Sequence, residues 1–353
     1  MNALVRLLAG LVIAVLLFAG IAEVTAFGYG VAFRSERPPV GAVQTGSRGT
    51  GLVYVYNLFA RKHIVEANQI PESVPYPGVE DQKAGEVYEN LKVVGDVGLG
   101  EFTRLMVNMT KWVAPDEGCD ACHNTANFAE DSKYTKIVAR RMLQMTRHIN
   151  TDWTRHVGQT GVTCYTCHRG QRVPPNIWFN NPGPEQAGGF AQAPAGMNHP
   201  AAITGESALP YDALTAFLER SDEIRVQSTT ALPSGDGVSV KQAKWTYSLM
   251  MTFSQSLGVN CDYCHDTRAF RDWSQSPPQR VTAWHGIRMA RDLNKAYLDP
   301  LSTVFPSNRL GVSGDSPKVY CATCHNGVYK PLFGVSMVQD FPELRGGPAE
   351  AAK

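Results

Sequence analysis

The hydrophobic pattern of the chain changes period several times. From Leu7 to Ala22 sixteen residues carry no charge and are largely apolar, and after Glu23 a second uncharged stretch runs to Phe33. Two readings compete for this segment. A cleaved signal peptide would have a short apolar core and the small-residue site Val24-Thr25-Ala26. An uncleaved anchor would span with about twenty residues, roughly Leu7 to Phe27, with Arg6 on the cytoplasmic side and Glu23 near the outer headgroups. Arg34 and Arg37 weaken the charge bias. The expectation taken forward is a retained transmembrane anchor over residues 1–34.

Further along, apolar residues recur at helical spacing in four segments. Phe102, Leu105, Met106, Met109, Trp112 and Val113 form the first. Val138, Met142, Met145 and Ile149 form the second, with Ser132 near its start as a cap. The third runs from about Lys241 to Leu257, and the fourth from about Val281 to Leu298, stopped by Pro300. Residues 35–98 read as a loop-rich segment. Residues 181–210 are dense in Gly, Pro and Ala and read as a linker. This linker divides a first half, 99–180, from a second, 211–345, followed by a tail at 346–353.

Composition narrows the class. Hydrophobic residues make up 43% and charged ones 18%, below the roughly 25% charged of an average soluble chain. Thirty-two glycines and twenty-two prolines assign much of the length to loops. A formal net charge of +1 argues against a nucleic-acid partner, which needs a basic surplus or stripe. Plentiful apolar and aromatic residues exclude a disordered chain.

The eight cysteines decide the chemistry. They fall as Cys119/Cys122, Cys164/Cys167, Cys261/Cys264 and Cys321/Cys324, four C-x-x-C pairs with none left over. Each pair is followed at once by a histidine: His123, His168, His265 and His325. With only nine histidines in the chain, this repetition is not chance. C-x-x-C-H is the pattern of covalent c-type haem attachment. Two thiols add across the haem vinyl groups and the histidine ligates the iron from below. Zinc sites would leave the histidines unexplained, and a disulfide framework suits small secreted scaffolds. Four covalently attached haems are therefore expected, on an exported chain. The fold class is mainly α with long irregular loops, a multihaem cytochrome c of two pseudo-repeated two-haem halves plus the N-terminal helix. The strings Gly161-Val162-Thr163-Cys164 and Gly258-Val259-Asn260-Cys261 support the repeat.

An open sixth position on an iron permits catalysis, whereas a second protein ligand closes it for electron transfer. Methionine pairs recur upstream of three motifs: Met106/Met109, Met142/Met145 and Met250/Met251, ten to twenty-two residues before their cysteines. Most helical methionines are packing residues, but the recurrence makes these candidate ligands. Spacing does not choose between members of a pair. For the fourth motif it leaves His285, Met289 and the other non-motif histidines open.

Several strings resemble the tetrahaem cytochrome subunit of purple-type photosynthetic reaction centres. They are Arg141-Met142-Leu143-Gln144-Met145-Thr146-Arg147, Trp153-Thr154-Arg155-His156-Val157, and Gly161 through Cys164-Tyr165-Thr166-Cys167-His168-Arg169-Gly170. Arg104-Leu105-Met106, Trp112-Val113-Ala114-Pro115 and Glu117-Gly118-Cys119 resemble the family's first haem segment, and Leu249-Met250-Met251 before Gly258 and Cys261 its third. The resemblance covers roughly residues 50–340. It implies Met106, Met142 and Met250 as sixth ligands of the first three haems. It also implies that His156 reaches across to the haem on Cys321 and Cys324. Met109, Met145, Met251, His285 and Met289 are then packing or supporting residues. The implied setting is the periplasmic face of the photosynthetic membrane, on reaction-centre subunits of the L and M type. There the four haems form a nearly linear wire, the third-motif haem nearest the bacteriochlorophyll special pair. Electrons would arrive from a soluble c-type cytochrome or a high-potential iron–sulfur protein. Several members carry a lipid-bearing cysteine near the terminus, and this chain has no cysteine outside its motifs.

The resemblance makes the chain an electron carrier without an open catalytic haem. A multihaem enzyme would need an open iron, and a membrane-anchored quinol-oxidising cytochrome would need about four more histidines near the motifs. His63 and His199 lie far from any motif. Asp116, Glu117 and Asp120 crowd around Cys119, on the haem implied to be farthest from the reaction centre. A donor with a basic rim is expected to dock there.

Overall fold

The structure is a computed structural model that describes residues 3–32, 40–45, 52–78, 82–181, 209–210, 212–226 and 240–346. The predicted linker at 181–210 and the tail at 346–353 thus lie almost wholly outside the described residues. The chain divides into two compact units, Met1–His63 and Ile64–Lys353.

In the first unit, helix α1 spans Ala3–Ala32. Its side chains are described from Gly10 to Thr25, and every one is exposed. Among the described residues no helix is long and apolar enough to cross a membrane. Strands β1 (Val40–Thr45) and β2 (Leu52–Asn57) pair antiparallel, with Val43 opposite Tyr54. Helical spacing did not predict this hairpin. Its signal is the β-branched and aromatic run Leu52-Val53-Tyr54-Val55-Tyr56, short enough to pass for loop beside longer helical patterns.

The second unit is mainly helical. Helix α2 (Leu99–Val113) buries Leu105 and Trp112 and keeps Glu101 in its first turn and Lys111 in its last, as the helix dipole favours. Helix α3 (Tyr134–Asp152) starts one residue later than a Ser132 cap requires. Lys133 holds the N-cap position without a side-chain bond to the helix start, while Ser132 bonds to the Glu130 carboxylate. Two short helices follow, α4 (Thr154–Val157) and α5 (Cys164–His168). The second half contributes α6 (Val240–Leu257), α7 (Gln279–Leu293) and α8 (Cys321–His325). The wider helical run ends at Leu298, as the position of Pro300 predicts. The chain widens into a π turn at Asn294–Leu298 and then tightens into a 3-10 turn at Asp299–Thr303. Proline fits there because the first residues of a turn need no N–H donor.

Three apolar clusters hold this unit. The first joins Leu105, Trp112, Leu143 and Cys164 to Met337, Val338, Phe341 and Leu344, so the C-terminal segment packs on the first pair of motifs. Phe341 meets Trp112 edge-on, with centroids 4.7 Å apart. The second gathers Trp178, Leu214, Phe217, Leu218, Leu249 and Ile287. The third crosses between the predicted halves, setting Met145, Ile149 and Val162 against Leu293, Leu298 and Leu301. A polar clamp lies on the same seam. His148 on α3 bonds Asp152 through Nδ1 and Asp292 on α7 through Nε2, both at 2.6 Å.

Candidate functional site

The four C-x-x-C-H motifs fold in two alternating ways. Motifs one and three, C-D-A-C-H and C-D-Y-C-H, begin in 3-10 turns at Gly118–Ala121 and Cys261–Tyr263. Motifs two and four, C-Y-T-C-H and C-A-T-C-H, are the short helices α5 and α8. Threonine between the cysteines makes the difference. The Thr166 hydroxyl accepts the backbone N–H of Thr163, and the Thr323 hydroxyl that of Tyr320, each at 3.0 Å. These bonds satisfy a donor at the helix start, as a capping box does. Both helices end on a left-handed residue, Arg169 or Asn326.

Each motif histidine is oriented by a backbone carbonyl on its Nδ1. Phe128 supplies it for His123 at 3.4 Å, and Phe270 for His265 at 3.0 Å. Each of these phenylalanines also packs its ring 5.1 Å from the imidazole it holds. Gln171 supplies the acceptor for His168 at 2.9 Å, and Val328 for His325 at 3.0 Å. With Nδ1–H so engaged, Nε2 is the nitrogen that could hold a metal, the usual arrangement around a metal-bound imidazole. Burial pushes all four imidazoles toward the neutral form, His325 down to about 4, and neutral imidazole is the ligand. Burial likewise holds the Cys164 and Cys321 thiols up at about 12 and Cys264 at about 11.

The sixth-ligand candidates differ in surroundings. A cavity of about 640 Å³ is lined by Met106, Met109, Cys119, Cys122 and His123, and also by Met142, Cys164 and His168. The first two motifs therefore share one apolar chamber. Met142 faces it while Met145 is buried in the third cluster; Met106 and Met109 both face it. Met250 packs on the second cluster. His156, on α4, stands opposite His325 with ring centroids 6.0 Å apart. Two metal–imidazole bonds of about 2 Å, plus about 1 Å from each nitrogen to its ring centre, give close to that span. His156 also donates from Nδ1–H to the Thr282 carbonyl at 2.9 Å. His285 instead packs on Trp284 at 4.9 Å.

One contact bears directly on haem attachment. Helices α5 and α8 lie side by side, and Cys167 and Cys324 are joined as a disulfide with Cα atoms 4.5 Å apart. A sulfur in a disulfide cannot also form a thioether, so haems on both motifs require these two as separate thiols. Arg169 ties the same helices by donating to the Cys324 carbonyl at 3.0 Å.

The acids beside Cys119 are all exposed. Glu117 pairs with Arg172 and Asp120 with Lys133 at 3.8 Å, so neighbouring cations offset part of their field. Sequence reasoning missed the basic lining of the shared chamber, Lys136, Arg140, Arg172 and Arg309. It also missed the four carbonyl partners, because backbone acceptors leave no mark in residue identity. The alternation of the motifs was available, in the residues between each pair of cysteines.

Residues 36–345 match the family model for the photosynthetic reaction centre cytochrome c subunit. The chain is 50% identical over 318 residues to the photosynthetic reaction center cytochrome c subunit of Rubrivivax gelatinosus, covering 90% of this chain and 87% of that one. It is 48% identical over 309 residues to the like-named protein of Thermochromatium tepidum, covering 88% and 76%. With that of Roseobacter denitrificans it shares 40% over 347 residues, covering 92% and 91%.

Proposed function

Because this chain belongs to the family of photosynthetic reaction centre cytochrome c subunits, we propose that it holds four c-type haems and passes electrons along them to the photo-oxidised special pair. It is an electron-transfer subunit of the photosynthetic reaction centre, associated with the photosynthetic membrane and with reaction-centre subunits, and it carries covalently bound c-type haem. The bound haem supplies an iron that cycles between ferrous and ferric states. The chain's own residues anchor the haem, fix the two axial ligands and exclude water.

The finer assignments are as follows. Each cysteine pair holds one haem, and His123, His168, His265 and His325 are the proximal ligands. Met106, Met142 and Met250 close the first three irons and His156 the fourth, which leaves no open catalytic site. The observation that carries this reading is the paired histidine geometry at the fourth motif, 6.0 Å between ring centres, together with one Nδ1–carbonyl bond at every motif. The alternation of motif folds supports duplication of a two-haem unit. A quinol-oxidising cytochrome with histidine pairs throughout has less support, since both nitrogens of His148 are already bonded to carboxylates.

We further propose that α1 anchors the chain from the periplasmic side. Nine large apolar residues from Leu11 to Val24 are 56–77% exposed, a pattern that water does not favour for a helix apolar all round. The donor is a soluble c-type cytochrome or a high-potential iron–sulfur protein docking near Asp116, Glu117 and Asp120. Haem quantitation per chain together with spectra of the His156→Ala variant tests the ligand scheme. Four haems and one newly high-spin iron are expected; fewer haems, or an unchanged spectrum, would contradict it.

A further inference from the structure

We infer that Gly286 is a positioning residue for His156: its missing side chain leaves the gap in α7 that lets the imidazole stand opposite His325. The inference rests on reading His156 as the sixth ligand of the haem on Cys321 and Cys324.

His156 belongs to α4, which packs against α7, and one turn of α7 shapes its place. The Thr282 carbonyl accepts from Nδ1–H at 2.9 Å. Four residues on, a Cβ at position 286 would lie 2.5 Å from Cε1, 2.9 Å from Nδ1 and 3.1 Å from Nε2 of the same ring. Carbonyl oxygens have two lone pairs, so Thr282 can serve both its helical partner and the imidazole. The ring has nowhere to retreat. Its Nδ1–H is tied to α7, and its far side meets His325.

Helix propensity points the other way. Glycine inside a helix is worse than any ordinary residue except proline, and Gly286 sits well within Gln279–Leu293 with no left-handed φ to justify it. Were it a packing residue only, alanine would strengthen α7. The cost of glycine makes sense if the imidazole needs the space. Displacing the ring would stretch the iron bond and break the Nδ1–H bond to Thr282, which fixes the tautomer and raises ligand basicity.

The test uses the full haem-loaded chain and three variants: Gly286→Ala, His156→Ala and the double variant. Electron paramagnetic resonance and a redox titration report each haem. Gly286→Ala should cost the haem on Cys321 and Cys324 part or all of its low-spin signal and raise its potential, the other haems staying at wild-type values. In the His156→Ala background the same substitution should change nothing further, and thermal unfolding should come no earlier. A wild-type spectrum and titration in Gly286→Ala, beside an opened haem in His156→Ala, overturns the positioning role and leaves the ligand reading intact. A low-spin fourth haem in His156→Ala overturns both. If Gly286→Ala yields no holoprotein, the double variant decides. Recovery to the level of His156→Ala assigns the defect to the imidazole clash, and equal failure shows that the fold needs this glycine whatever occupies position 156.

Discussion

The two nitrogens of each motif histidine have separate jobs, and that separation makes single-residue predictions sharp. At His325 the Val328 carbonyl holds Nδ1, which leaves Nε2 for iron in the proposed scheme, and the His156 ring stands 6.0 Å away. Replacing His156 with Ala should open that iron and yield one high-spin haem, while His285→Ala, whose ring rests on Trp284, should leave all haems low-spin. Thioether sulfur favours ferrous iron more than a second imidazole does. The haem on Cys321 and Cys324 should therefore titrate below the highest of the three methionine-ligated haems. A titration that placed it highest would contradict the ligand scheme. Glu343 offers a pH prediction remote from the motifs. Both its carboxylate oxygens are buried without a hydrogen-bond partner. Burial pushes its carboxyl up to about 7, opposed by its own backbone N–H and by Arg104, with Glu101 adding to the shift. An acid whose folded value is raised contributes stability that is fully present below its ordinary value of 4.5 and is lost as pH rises through about 7. Melting of Glu343→Gln and the parent between pH 4.5 and 8 should diverge as pH rises, the parent falling and the variant holding. Parallel curves would show that Glu343 does not titrate in this window.

At the scale of elements, the threonines of α5 and α8 shape the folding of two C-x-x-C-H motifs. Thr166 and Thr323 are 2% and 1% exposed, and their hydroxyls accept the N-cap backbone N–H at those helix starts. Removing the Thr166 hydroxyl should cost about 1 kcal/mol, by losing one hydrogen bond and stranding a buried donor. Removing that of Thr323 should cost more, because it also donates to the Asn176 carbonyl at 2.6 Å. Urea unfolding of Thr166→Ala and Thr323→Ala checks this, with Ala121, at the matching place in the first motif, as the site that already manages without the hydroxyl. The four long helices were legible because an amphipathic period of 3.6 repeats over many residues. Ser132 misled because a capping residue type does not say which acceptor it will find, and the hydroxyl found Glu130. Pro300 was a sound boundary signal at Leu298, though it did not show that a 3-10 turn, which proline starts comfortably, would follow. The haem chemistry was plain from eight cysteines and four histidines. The pairing of His156 with His325 came from resemblance, since 169 residues of separation carry no periodic trace. The contact of Cys167 with Cys324 was invisible for the same reason.

Across the whole molecule, charge and redox order decide how electrons enter and leave. Net charge is only +1, so steering of a donor must come from local groups. Asp116 is exposed, while Glu117 and Asp120 are countered by Arg172 and Lys133. The remaining field is modest. Neutralising the three acids together should slow association with a basic-rimmed cytochrome at low salt, by an amount that shrinks as added salt shortens the screening length to about 10 Å at 0.1 M. A rate indifferent to salt would move the docking site to another face. The central claim, that haem electrons refill the special pair, is tested most directly by a single-turnover flash on native membranes poised with the haems reduced. The account predicts that a c-type haem becomes oxidised as the special pair is re-reduced, with matching kinetics, and that electrons from the soluble donor then restore the haem. Re-reduction of the special pair with every haem remaining ferrous would contradict it.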